Sequence, residues 1–181
     1  MKTLIFNGSP RKNGDTAYLI NGLVRQLNDD HIVVNAYGSD ISPCVDCRYC
    51  RTHPGCSIND AMQEVYTQIR ESDNIVIASP LHFSELTGKL LCVASRLQMF
   101  YCSDRALGIT QLVKPKKGGI ILVGGGDGKP DRAVKTARAL LHTMNCTDIY
   151  EPVFSLNTNE IPASQDKAVP EKLRELADFL N

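Results

Sequence analysis

The 181-residue chain sets 20 Lys+Arg against 20 Asp+Glu, and a net charge of zero gives it no global electrostatic claim on nucleic acid or an anionic membrane. Its length suits one domain, residues 1–181, and 43% hydrophobic with 22% charged residues argues against disorder. Met1–Phe6 is too short for an export signal and no apolar run approaches the ~20 residues of a membrane span, so a cytoplasmic location is expected.

In chain order, Lys2–Phe6 reads as a buried strand, followed by a turn-rich loop from Asn7 to Gly14. Leu19, Ile20, Leu23, Val24 and Leu27 recur at helical spacing and predict a helix over Thr16–Leu27. The β-branched run Ile32-Val33-Val34 makes His31–Tyr37 the second strand. A long loop with four cysteines follows to Asn59, then a helix over Asp60–Arg70. Asn74–Ser79 is a strand stopped by Pro80, and Glu85–Tyr101 is one helix with Leu86, Leu90, Val93, Leu97 and Phe100 inward. Asp104–Pro115 is the least patterned connection and is expected to be mobile or a subunit contact. Gly118–Val123 is a fourth strand, Asp131–Asn145 a helix, Asp148–Ser155 a fifth strand, and Lys167–Leu180 a closing helix. Five strands alternating with five helices imply an α/β fold, a doubly wound five-stranded parallel sheet with helices on both faces.

Ligands of such sheets bind outside the carboxyl ends of the strands, where strand order reverses. Three loops there are unusual. Asn7–Thr16 offers a helix start, the Ser9 and Thr16 hydroxyls and the Arg11 guanidinium, a set suited to phosphate. It matches neither the Walker loop nor Gly-x-Gly-x-x-Gly, and the plainer reading is a turn with Asp15 or Thr16 as N-cap. Ser79-Pro80-Leu81-His82-Phe83 could line a flat aromatic ligand, or simply be a strand end with locally packed rings. Gly124-Gly125-Gly126-Asp127-Gly128 exposes backbone to a planar ligand, or is only a flexible turn.

Gly-Ser-Pro-Arg-Lys-Asn-Gly-Asp-Thr (residues 8–16), Ser-Pro-Leu-His-Phe-Ser-x-Leu-Thr-Gly (79–88) and the glycine turn resemble the flavodoxin-like NADPH-dependent FMN reductases, which include the iron–sulfur flavoproteins. The likeness runs from the first strand to about Asn145. It implies that Ser9, Arg11, Asn13, Asp15 and Thr16 hold the FMN phosphate. It further implies that Pro80, Leu81, His82 and Phe83 line the ribityl chain and isoalloxazine, with Gly124, Gly125 and Gly126 along the other side. A second subunit completing the site, hence a homodimer or homotetramer, also follows from the resemblance. There are departures. Asp15 stands where Asn is usual and must cap the helix or face away; His82 stands where Tyr is common. Ser95 precedes Arg96 where the family often has Asp, so a familiar salt bridge is expected to be absent.

Cys44, Cys47, Cys50 and Cys56 have spacing that could wrap a [4Fe–4S] cluster, as the iron–sulfur flavoproteins suggest. Structural zinc is disfavoured, since its four-cysteine sites pair separated knuckles. Metal-free thiols are favoured, because Pro43–Met62 also resembles the cluster-free reductases. Arg48, Arg51 and His53 would then lower thiol pKa values. Cys92, Cys102 and Cys146 fall in helical patterns and read as buried small hydrophobes.

The reading is an oxidoreductase in which bound FMN takes hydride from NAD(P)H and reduces a quinone or other small acceptor, with no nucleic-acid or membrane partner. Its rivals are an iron–sulfur electron carrier and a non-catalytic thiol or zinc sensor on the same fold.

Overall fold

The computed structural model describes residues 1–112 and 114–181, so Val113, inside the expected Asp104–Pro115 connection, lies outside the described residues. The elements are β1 (Lys2–Asn7), α1 (Asp15–Val24), β2 (Asp30–Asn35), α2 (Met62–Glu71), β3 (Asn74–Pro80), α3 (Gly88–Ser95), α4 (Gln98–Leu107), β4 (Lys116–Val123), α5 (Asp131–Thr143), β5 (Cys146–Ile149), β6 (Val153–Ser155) and α6 (Val169–Leu180). The strands form one sheet in the order β2-β1-β3-β4-β5, with β6 also on β4, and every pairing is parallel.

Buried parallel strands must be apolar on both faces, and β1 and β3 are buried along nearly their whole length. Side chains alternate across the sheet with period two. Leu4, Phe6, Ile75, Ile77, Ile120 and Leu122 therefore pack with α2, α3, α4 and α5 on one face. Ile5, Val76, Ile121 and Val123 pack with α1 and α6 on the other. The result is a three-layer flavodoxin-like fold. Among the described residues no helix is long and apolar enough to cross a membrane.

Three expectations need correction. The single helix over Glu85–Tyr101 is two helices, α3 and α4, broken at Arg96–Leu97. The break uses i→i−3 hydrogen bonds, from Arg96 N to Val93 O, Leu97 N to Ala94 O and Met99 N to Arg96 O, and the Arg96 carbonyl accepts the Tyr66 hydroxyl as well at 2.9 Å. The fifth strand is two, because Tyr150–Pro152 interrupts it; β5 pairs with Lys116–Gly118 and β6 with Ile121–Val123. Cys146 opens β5 and is not helical, although it is buried as expected.

Candidate functional site

The loops after β1, β3 and β4 meet at the carboxyl edge of the sheet and are stitched together by backbone groups. Gly8 N donates to Ala78 O at 2.8 Å, and the Thr87 hydroxyl donates to Gly8 O at 2.8 Å. The Ser79 hydroxyl accepts from Thr87 N at 3.2 Å. A Cβ at position 8 would lie 2.8 Å from both Leu90 Cδ2 and Ser79 Oγ, so a larger residue there has to displace these side chains. The loop then organises itself: Asn7 Oδ1 accepts from Ser9 N at 2.9 Å, and Ser9 Oγ accepts from Arg11 N at 3.2 Å.

This path delivers the chain to α1, whose N-cap is Gly14 with no side-chain cap. The first-turn N–H groups of a helix have no intrahelical partner. Here they open toward a cleft of ≈ 230 Å³. Neither Asp15 nor Thr16 caps the helix. The Asp15 carboxylate accepts instead from Ala163 N at 2.8 Å.

Across the cleft, His82 and Glu85 exchange backbone hydrogen bonds of 2.9 and 3.1 Å around a two-residue turn. Phe83 (φ 54°) and Ser84 (φ 63°) are both left-handed, a geometry usually reserved for Asn-Gly. The turn is clamped to α5, since Ala133 N donates to Ser84 O and the Thr136 hydroxyl donates to the Glu85 carboxylate at 2.8 Å. The Phe83 ring is left 100% exposed.

At the third loop, the carbonyls of Gly124, Gly125 and Gly126 accept from Thr158, Asn159 and Asn157 N–H groups. Across a trans peptide the following N–H points the opposite way, so the N–H groups of residues 125–127 turn away from that partner strand end.

Of the twelve residues singled out in sequence, Ser9, Arg11, Asp15, Thr16, Pro80, Leu81, His82 and Gly125 line the cleft. Asn13, Phe83, Gly124 and Gly126 do not: Asn13 and Phe83 point to solvent, and Gly124 is buried beneath Leu156. Thr158 and Asn159, on the loop after β6, complete the wall and were missed in sequence. The polar run Asn157-Thr158-Asn159 at a strand end was the available signal, hidden by merging β5 with β6.

The cysteine loop folds beside α3 and α4, apart from the cleft. Its two ends are clipped by the buried Arg96 guanidinium, which donates to Ser42 O at 3.0 Å, Ile58 O at 3.2 Å and Asp60 Oδ2 at 2.7 Å. The salt bridge expected to be absent is therefore present, with its carboxylate supplied by Asp60 rather than by residue 95. Burial works against both charges, but their mutual hydrogen bond wins: Arg96 is pushed up and Asp60 pulled down from their ordinary pKa values.

The four loop thiols take different surroundings. Cys47 is exposed and lowered in pKa by the Ser57 hydroxyl, 3.2 Å away, and then by Tyr49 N–H. Cys50 is pushed up to about 11 by burial and then by the neighbouring Cys102 thiol. The expected cationic assistance is not the cause, since Arg48 pairs with Asp46 and the His53 ring stacks on Tyr49 at 4.3 Å. Among the described residues no three Cys, His, Asp or Glu side chains converge to hold a single metal ion, as structural zinc requires.

A family model described as NADPH-dependent FMN reductase matches residues 1–160. An iron–sulfur flavoprotein of Methanosarcina thermophila is 24% identical over 99% of this chain and 95% of its own length. Another, from Methanocaldococcus jannaschii, is 28% identical over 68% of this chain, which spans only 62% of that protein. Among solved structures, an NAD(P)H:quinone oxidoreductase from Methanothermobacter marburgensis superposes with a TM-score of 0.76 at 14% identity, covering 100% of this chain and 96% of that one. An FMN-dependent NADH-azoreductase from Bacillus anthracis, solved with FMN, gives 0.68 at 17% identity, covering 99% of each. These structural likenesses are of fold.

Proposed function

The chain belongs to the NADPH-dependent FMN reductase family, and from that premise we propose that it holds FMN in the cleft and uses NAD(P)H to reduce a quinone or another small acceptor. The observation that carries this reading is the uncapped start of α1, open to the cleft with Ser9, Arg11 and Thr16 beside it. Unpartnered N–H groups and the positive end of the helix dipole suit a phosphate dianion. The Ser9 and Thr16 hydroxyls and the Arg11 fork would complete its shell. Pro80, Leu81 and His82 would form one wall for the ribityl chain and ring, and Gly125 with Thr158 and Asn159 the other.

Bound FMN supplies the redox chemistry, accepting a hydride and passing electrons on. The protein's part is to orient the ring and to set its electrostatics. Gly125 lines the cleft, and its backbone N–H would face developing negative charge on a flat ligand. The acceptor must be small enough to approach the remaining open side of the cleft.

A homodimer or homotetramer is supported by an open groove of ≈ 390 Å³ over α3, α4 and α5, lined by Leu91, Ala94, Leu97, Tyr101 and Leu140. Light scattering tests the assembly.

The deciding experiment is titration of purified protein with FMN, followed by fluorescence, and then anaerobic addition of NADPH. Stoichiometric binding and bleaching of the flavin band support the reading. Absence of FMN binding refutes it, and binding without bleaching by NADPH or NADH leaves a carrier rather than a reductase.

A further inference from the structure

The chain contains three Asn-Gly steps, Asn7-Gly8, Asn13-Gly14 and Asn21-Gly22. Asparagine is chemically labile, most of all before glycine, whose unhindered nitrogen can close on the side-chain amide carbon when it is free and the backbone can turn. Two of the steps are locked. Asn7 is 8% exposed, its side chain donates to Asn35 Oδ1 at 2.8 Å and accepts from Ser9 N at 2.9 Å, and Gly8 N donates to Ala78 O at 2.8 Å. Asn21 is exposed, but Gly22 lies inside α1, where the helical ladder holds its N–H and fixes the backbone. Asn13-Gly14 differs on each count. Asn13 is exposed in a turn, and among the described residues neither its side chain nor Gly14 N has a hydrogen-bond partner. Gly14 also stands at the start of α1, where the positive end of the helix dipole favours loss of a proton from its nitrogen.

We propose that Asn13 is a self-modification site, which converts the FMN-free chain to aspartate and isoaspartate forms and withdraws it from binding phosphate-bearing ligands. The conversion needs no ligand; its consequence rests on the flavin reading of the cleft. Gly14 N gives its proton to hydroxide and attacks Asn13 Cγ. An N–C bond forms, the Cγ–Nδ2 bond breaks, and the side-chain nitrogen takes a proton from water and leaves as ammonia. Water then adds to either carbonyl of the imide ring and opens it, giving aspartate or, where the chain now runs through the former side chain, isoaspartate. A water is consumed and an ammonia released, with no oxidation. Both products put a carboxylate next in sequence to Gly14, which lines the cleft with Arg11, and isoaspartate also adds a methylene to the backbone just before the N-cap. A negative charge there repels a phosphate dianion. A bound phosphate works the other way, because accepting from Gly14 N occupies the nucleophile.

The test holds the purified FMN-free chain in warm, mildly alkaline water enriched in heavy oxygen, digests it and maps the Asn-Gly peptides by mass spectrometry. Heavy oxygen should enter at Asn13 at least about tenfold faster than at Asn7 or Asn21, and should be absent from that peptide in Asn13→Gln. Entry at Asn13 no faster than at the other two overturns the proposal. Saturating FMN should slow the Asn13 conversion at least about tenfold, and the converted chain, separated by anion exchange, should bind FMN at least about tenfold more weakly. FMN that binds without slowing conversion, or that binds the converted chain as tightly, overturns the proposal and leaves the flavin reading intact. A fresh chain that binds no FMN overturns the flavin reading and the consequence drawn from it, whereas the mapping, which uses no flavin, still decides whether Asn13 converts itself.

Discussion

Asp60→Asn removes one charge from the clip at the base of the cysteine loop and leaves its shape. The carboxylate accepts three donors: Arg96 Nη1 and Ser42 N on Oδ2, and Met62 N on Oδ1. An amide has one acceptor oxygen, so its NH₂ must face one of these donors. The Arg96 side chain, 0% exposed, then keeps a buried charge without a counter-charge. Breaking a buried pair from one side costs about 3–5 kcal/mol, a large part of a typical stability of about 5–15 kcal/mol. Urea unfolding should show that loss, and the thiols of Cys44–Cys56 should react faster with a disulfide reagent because both loop ends are released. The pH dependence has a definite sign. Asp60 has a folded-state pKa below its unfolded value, so its contribution is present above the ordinary carboxylate range and is lost as pH falls through the folded value. The variant should therefore lose less stability than the parent on acidification below about pH 4. A cost under about 0.5 kcal/mol, the scale of an exposed pair, would refute the argument.

Three other outcomes are expected. Ser84→Gly places a permissive residue at φ 63° and should stabilise the chain by about 1 kcal/mol, read as a rise in melting temperature; an unchanged or lower melt would show that the turn is unstrained. Thr16→Val, isosteric at a buried position beside the cleft, should weaken FMN binding about tenfold with little change in stability, measured by fluorescence titration. Cys47 should be alkylated by iodoacetamide before Cys50 across neutral pH, since its thiolate forms at lower pH; peptide mapping would decide the order.

The layers of this fold are legible in sequence because periodicity reports burial directly. Leu4, Phe6, Ile75 and Ile77 announce strands covered on both sides, and the apolar stripes of α1, α2, α5 and α6 announce their inward faces. The break at Arg96–Leu97 is invisible to that signal, since α3 and α4 keep their apolar residues on the same face. Arg96 illustrates the limit more sharply. Its local neighbour Ser95 suggested an unpaired arginine, whereas its carboxylate comes from Asp60, 36 positions away. The candidate cleft was legible as three loops and incomplete as a surface, because Thr158 and Asn159 enter from a strand pairing that local pattern does not specify.

The division of the last strand also bears on how copies of this chain meet in a crowded solution. Beyond β4 the sheet ends in two pieces, of four and three residues, separated by Tyr150-Glu151-Pro152. Neither piece presents enough consecutive free backbone groups to template a strand from another molecule, and Pro152 has no N–H to offer. A continuous strand over Asp148–Ser155 would have left a ragged but usable edge for aggregation. The interruption that misleads a reader of the sequence thus blunts this edge of the sheet, while β2 at the opposite edge stays a continuous six-residue strand.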